Sequence, residues 1–201
     1  MAGCCNFSHL FRTKPGEPRP MWKKLSERIA YKGWRQIKVK QFELPDGKIA
    51  EFDILSSRSF VTVAAFTTGG ELILIRQYRP GPERELLSFC EGAIDPGETP
   101  VQSAHRELLE ETGYATEELI FLKKRYSAYT DQEQFFFLAL NCRYQQAPEP
   151  DAGEFLSVEL SPESHFRAML RDADNDLFNN IDAAYLALDF ISGRTTPPSK
   201  P

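Results

Sequence analysis

The sequence predicts an α+β protein, with helices packed on a mixed β-sheet. Two pairs of strand-like runs bracket turn signals in the first half of the chain, and three more β-rich runs follow in the second half. Helical signals are confined to one segment between these groups and two near the C-terminal end.

Each element has its own signal. Pro15, Gly16, Pro18 and Pro20 mark residues 1–20 as a flexible tail, and "TTPPSKP" marks 194–201 as another, so order is expected over 21–193. "WRQIKVKQFEL" and "KIAEFDIL" flank Pro45-Asp46-Gly47, which predicts an N-terminal hairpin within an arm spanning 21–55. "SFVTVAAF" and "ELILIRQY" around Thr68-Gly69-Gly70 predict a second hairpin. Their continuous apolar runs suit central strands covered on both faces, in a main domain over 56–193.

"EELIFLKKRY", "EQFFFLALNCRY" and "EFLSVELS" are rich in Phe, Leu and Val and predict three further strands. Two helices are expected to close the fold. One starts at Ser161-Pro162-Glu163, read as a cap followed by proline, and "NIDAAYLALDFIS" forms the other, ending at Gly193.

Composition narrows the function. A chain of 201 residues, 41% hydrophobic, is long enough to bury roughly 70% of its unfolded surface. With 24 basic and 29 acidic residues, a formal charge of −5 and no basic block, it is not built to neutralise a nucleic-acid backbone. No apolar run approaches the ~20 residues of a membrane span, and the first residues lack the apolar core of a secretory signal. Cys4, Cys5, Cys90 and Cys142 form neither a disulfide framework nor paired zinc spacings, which suits a reducing cytoplasm.

The segment "GAIDPGETPVQSAHRELLEETGY", 92–114, holds the chemistry. Thr99-Pro100-Val101-Gln102 is a capping box with proline at the first helical position, and Gly113 is placed to end the helix. Val101, Ala104, Leu108 and Thr112 recur at helical spacing as the buried stripe, with Glu107, Glu110 and Glu111 on the arc beside it. Like charges three and four residues apart cost about 0.2–0.5 kcal/mol per pair, and carboxylates at the negative end of the helix dipole cost about 0.3–1 kcal/mol each. A bound divalent cation reverses that sign, because carboxylate oxygens on successive turns suit Mg²⁺.

The same residues carry a resemblance. Gly92, Glu98, Arg106, Glu107, Glu110, Glu111 and Gly113 match the Nudix box at every fixed position, with Tyr114 in its last apolar slot. Seven such identities coincide by chance on the order of once in 10⁸ windows. "LPDGK", "ELILIRQYRP", the box, "GEFLSVELS" and "NIDAAYLALDF" also follow in the order of the ADP-ribose and nucleoside-diphosphate-sugar branch of the Nudix hydrolases, over about residues 30–192.

The resemblance implies a Nudix fold and Mg²⁺-dependent hydrolysis of a nucleoside-diphosphate sugar to a nucleoside monophosphate and a sugar phosphate. It implies two or three ions per site, with Mn²⁺ a substitute for Mg²⁺. It also implies a homodimer built through the N-terminal hairpin, with active sites shared between subunits. On it, Glu107 and Glu111 are the main metal ligands, supported by Glu110 and by the main-chain carbonyl of Glu91. Arg106 orients a helix carboxylate, Arg79 faces the substrate phosphates with Arg76 and Arg84 as alternatives, and Trp34 is a candidate to stack on the base. Glu154 matches the loop glutamate of the branch as general base, with Glu149 its competitor, while His9, His105 and His165 take no part.

The chain departs from the ADP-ribose pattern at Ser127-Ala128-Tyr129, where Ser-Pro-Gly is common, at Cys90-Glu91, where Pro-Ala is common, and at Ala50, where arginine is common. ADP-ribose therefore leads a substrate class that includes GDP- and UDP-hexoses. A catalytically silent Nudix-fold metabolite sensor is the reading of another class.

Overall fold

A computed structural model describes residues 21–193. The two expected tails, with Cys4, Cys5 and His9, lie outside the described residues. The chain divides into two compact units between Leu55 and Ser56.

The first unit is a three-stranded sheet in the order β1-β2-β3, from β1 (Lys23–Lys32), β2 (Gln36–Glu43) and β3 (Ile49–Ser56). The expected hairpin is β2-β3. Its turn closes by Leu44 N–H to the Lys48 carbonyl, 2.8 Å, with Gly47 at φ 81°, which a Cβ would disfavour. β1 was not expected, because "KKLSERIAYK" is mostly polar and lacks a strand's alternation, and every residue of it is exposed; its antiparallel pairing with β2, from Lys23↔Glu43 to Lys32↔Gln36, makes it a strand. Trp22, Phe42 and Phe52 pack ring on ring at 5.4–6.0 Å.

Trp34 was expected inside a strand. It lies instead in the bend before β2, 91% exposed, with the Arg35 guanidinium 4.8 Å from its ring centre. Gly33 donates to the Arg35 carbonyl, which turns the chain there and delays the strand to Gln36.

The second unit is a mixed sheet between helices, as expected. Its strands are β4 (Phe60–Thr67), β5 (Glu71–Arg79), β6 (Arg84–Ser88), β7 (Cys90–Ala93), β8 (Tyr114–Ala115), β9 (Glu118–Tyr126), β10 (Glu133–Tyr144) and β11 (Leu156–Pro162). The path runs β11-β5-β4-β10-β8, with β6 on β5, β7 on β4 and β9 on β10. β10 runs parallel to β4 and the other pairs are antiparallel.

Side-chain alternation splits the core into two layers. Val61, Val63, Ala65, Phe135 and Phe137 face α1 (Pro100–Thr112) through Ala104 and Leu108. Ala64, Phe66, Phe136 and Leu138 face the other way, onto Phe166 of α2 (Glu163–Arg171) and Ala183, Ala184, Ala187 and Leu188 of α3 (Ile181–Ile191). The doubly covered strands were legible from their unbroken apolar runs. The short strands β6, β7 and β8 were not, because their pairing comes from distant partners.

Two local expectations need correction. Ser161 does not cap α2: it is buried in β11, opposite Leu72, and Pro162 precedes the helix without a side-chain cap. The strand register holds these residues extended to the first helical residue. On α1, Val101 is 37% exposed, and the buried set is Ser103, Ala104, Leu108, Glu111 and Thr112. Hydrogen bonds draw two of the polar members in: Ser103 donates to Glu98, and the Glu91 amide donates to Glu111.

Candidate active site

The helix that carries the acids is fixed at both ends. The Thr99 hydroxyl accepts from the Gln102 amide while the Gln102 side chain accepts from the Thr99 amide, Pro100 fills the first helical position, and Gly113 closes the helix at φ 74°. This sets which turn presents each carboxylate.

Arg106 is the hub. Its Nε and Nη2 grip Glu98 at 2.9 Å each, Nη1 reaches Glu107 at 2.7 Å and Glu110 at 3.0 Å, and Nη2 also donates to the Ala93 carbonyl. The planar fork makes this possible; an ammonium could not span the same acceptors. Arg106 and the Ser103 hydroxyl pull the Glu98 carboxyl down to about 2. Glu98 thus ties the loop ahead of the helix to Arg106, which in turn holds two of the three helix acids.

Glu107 and Glu111 are the strained members. Burial pushes Glu107 up to about 7, opposed by Arg106 and reinforced by the charges of Glu110 and Glu154. Burial pushes Glu111 up to about 8, although the Cys90 side chain and the Glu91 amide (3.1 Å) hydrogen-bond to it; Glu107 and Glu154 add repulsion. The protein's own cations leave this negative charge only partly compensated.

Gly92 explains how Glu107 fits. A Cβ built there falls 1.7 Å from Glu107 Cδ, so the glycine makes room for that carboxylate against β7. The space a side chain at 92 would take is filled by the Glu107 carboxylate. Gly92→Ala is expected to leave Tm within about 2 °C, because only the end of a flexible side chain must move, yet to lower kcat by about 10² through displacing Glu107. Circular-dichroism melts together with turnover rates check this, and wild-type turnover would remove Glu107 from the reaction.

The remaining candidates separate. Glu154 follows the Asp151–Gly153 turn, its amide 3.0 Å from the Asp151 carbonyl, and is exposed yet near enough for its charge to raise both Glu107 and Glu111. Glu149 meets α1 through its main chain, donating to the Glu110 carbonyl at 2.7 Å. Arg79, at the end of β5, lies 3.8 Å from Glu91. Arg76 is committed to both oxygens of Glu159, and Arg84 to Asp176. Thr62 and Asn180, which hold the Glu91 side chain, were not singled out from the sequence, since they come together with it only in three dimensions.

Among the described residues no three His, Cys, Asp or Glu side chains form a ready-made metal cluster. Mg²⁺ commonly takes one or two carboxylates and completes its shell with water and substrate phosphate. Glu107 and Glu111 offer only oxygen donors, and their ionisation is opposed by burial and left short of compensating charge, so they fit such an ion.

The model of the NUDIX domain matches residues 57–181. The chain belongs to the Nudix hydrolase family. Nudix hydrolases act on pyrophosphate bonds and generally use divalent cations such as Mg²⁺. This Nudix hydrolase is 36% identical over 125 residues to the ADP compounds hydrolase NudE of Escherichia coli (strain K12), covering 61% of the chain and 67% of that relative. It is 33% identical over 123 residues to the ADP-ribose pyrophosphatase of Bacillus subtilis (strain 168), covering 60% and 66%. The crystal structure of an ADP compounds hydrolase superposes with a TM-score of 0.74 at 27% identity, covering 89% of this chain and 98% of that one. No helix among the described residues is long and apolar enough to cross a membrane.

Proposed function

We propose that this Nudix hydrolase cleaves the pyrophosphate bond of a nucleoside-diphosphate sugar, ADP-ribose first among them, giving a nucleoside monophosphate and a sugar phosphate. The observation that carries this is the Glu107 and Glu111 carboxyl pair, pushed up by burial to about 7 and about 8, with Glu107 held by Arg106 and Glu111 by the Glu91 amide. The two relatives whose names specify ADP compounds and ADP-ribose support the substrate class.

In this reading Glu107 and Glu111, with Glu110 and the Glu91 carbonyl in support, hold Mg²⁺ or Mn²⁺, two or three ions per site. When bound, the ions neutralise phosphate charge and lower the pKa of a coordinated water. Arg106 keeps Glu107 and Glu110 aimed. Arg79 binds the diphosphate, preferred to Arg76 and Arg84, whose guanidinium groups are engaged by Glu159 and Asp176. Glu154 takes a proton from the attacking water as the new O–P bond forms and the bridging P–O bond breaks, its electron pair leaving with the departing phosphate. Trp34, exposed beside Arg35, stacks on the base.

Phosphate release measured across ADP-ribose, GDP-hexose and UDP-hexose with Mg²⁺ and a coupled phosphatase tests the function. Highest kcat/KM on ADP-ribose is expected. Faster turnover of a GDP- or UDP-hexose would move the assignment within the branch, and binding without release would make the chain a sensor.

Glu154→Gln is expected to lower kcat by about 10² while KM changes little, because proton transfer operates only in the transition state. Glu149→Gln is expected to stay within about threefold of wild type. The reverse ranking would give Glu149 the role.

We further propose that residues 21–55 form a dimerisation arm on the hydrolase domain, 56–193, giving a homodimer with shared sites. Trp22, Tyr31 and Ile49 are 54%, 61% and 63% exposed there, more apolar surface than a small sheet leaves in water without a partner. Light scattering is expected to give twice the 22.9 kDa chain mass; a monomer at micromolar concentration would refute the arm's role. The free, buried thiols Cys90 and Cys142 suit a reducing cytoplasm.

A further inference from the structure

Glu91 stands at one of the positions where the sequence departs from the ADP-ribose pattern, and its side chain does something its main chain does not. It is 18% exposed, yet it is a carboxylate. Residues from three separate parts of the second unit meet it. The Thr62 hydroxyl on β4 donates to Glu91 Oε1 at 2.9 Å, and Asn180, just ahead of α3, donates Nδ2 to the same oxygen at 2.7 Å. The remaining oxygen, Oε2, is 3.8 Å from Arg79 Nη2.

The donors are themselves fixed. Gln134 Nε2 donates to Thr62 Oγ1 at 3.1 Å, so the single hydroxyl proton of Thr62 is directed at Glu91. Gln134 Oε1 accepts from Arg125, which fixes the amide's orientation. Asn180 Oδ1 accepts from the Phe89 amide at 2.8 Å, leaving its NH₂ for Glu91. Glu91 Oε1 is thereby saturated, and Oε2 is left to face the arginine. At 3.8 Å the pair attracts by charge but is longer than a hydrogen bond, so the N–H groups of Arg79 keep their capacity for a phosphate oxygen.

We propose that the Glu91 side chain, clamped by Thr62 and Asn180, is a positioning residue that aims Arg79 at the substrate's diphosphate. The proposal rests on the phosphate role given to Arg79 in the proposed function. An arginine held in its binding orientation loses less rotamer freedom when the phosphate arrives. Glu91→Gln keeps an acceptor for Thr62 and Asn180 but removes the charge facing Arg79, so binding weakens without loss of the clamp.

The test is a double-mutant cycle on ADP binding, by calorimetry with Mg²⁺ present, in wild type, Glu91→Gln, Arg79→Ala and the double variant, with KM and kcat measured alongside. Glu91→Gln is expected to weaken ADP about tenfold and to raise KM by more than it lowers kcat, and the double variant should bind no worse than Arg79→Ala. Thr62→Val, which breaks the clamp from outside, should weaken ADP in the same direction and add nothing once Arg79 is alanine. Unchanged affinity in Glu91→Gln, additive losses, or wild-type affinity in Arg79→Ala would each overturn the proposal, as would a wild type that binds no ADP. A wild type that shows this coupling but hydrolyses no diphosphate sugar would leave the positioning role standing and remove the proposed function.

Discussion

Glu111→Gln lowers kcat by about 10² or more at saturating Mg²⁺ and at the same time makes the metal-free protein more stable at pH 8. Both effects have one origin. The Glu111 carboxyl is pushed up to about 8 by burial, so in the metal-free fold its charge is a burden. Its ordinary value lies near 4.5, so the folded state holds a proton that the unfolded state releases between about pH 4.5 and 8. The stability this contributes is fully present below pH 4.5 and is lost as pH rises through about 8. Glu107, pushed up to about 7, adds the same trend over a narrower window.

The metal-free wild type should therefore melt several degrees lower at pH 8 than at pH 5, and Mg²⁺ should restore Tm at the higher pH. Glutamine keeps the shape and can still accept from the Glu91 amide, so it removes only the charge. The variant should show a shallower fall with pH and a smaller response to Mg²⁺. More than half of wild-type kcat, or an unchanged Tm profile, would dismiss Glu111 as a metal ligand.

Arg106→Leu should lower Tm by roughly 6–12 °C, corresponding to about 3 kcal/mol, and lower kcat by about 10². Glu98, Glu107 and Glu110 lose their common partner, and so does the Ala93 carbonyl. Removing one member of a buried ionic cluster costs more than the cluster contributes, because the other charges stay in place without compensation. The Arg106 side chain is 26% exposed, which puts the cost at the lower end of that range. Arg106→Lys should recover part of the stability but little of the rate, since one ammonium cannot hold Glu98 and both helix acids. A melting curve within 1 °C of wild type for Arg106→Leu would show Arg106 to be an ordinary surface partner.

Much of this was legible in order of residues alone. The capping box at Thr99–Gln102, the stop at Gly113 and the spacing of Glu107, Glu110 and Glu111 are local, fixed by contacts within a few turns, so the sequence determined the helix and which acids share its face. The unbroken apolar runs of β4 and β5 likewise marked these strands as central, because only doubly covered strands are apolar on both faces, whereas β10 was legible as a strand and took its central place beside β4 only in the folded sheet. Tertiary structure alone decided the rest. It made β1 a strand although every residue of it is exposed, kept Ser161 in β11 rather than at a helix cap, and placed Trp34 in a bend. It also brought Thr62, Arg79, Glu91 and Asn180 together from positions up to 118 residues apart, by the numbering. Helical spacing is written in neighbours three and four residues away, whereas strand pairing and buried hydrogen bonds depend on partners that only the folded sheet brings within reach.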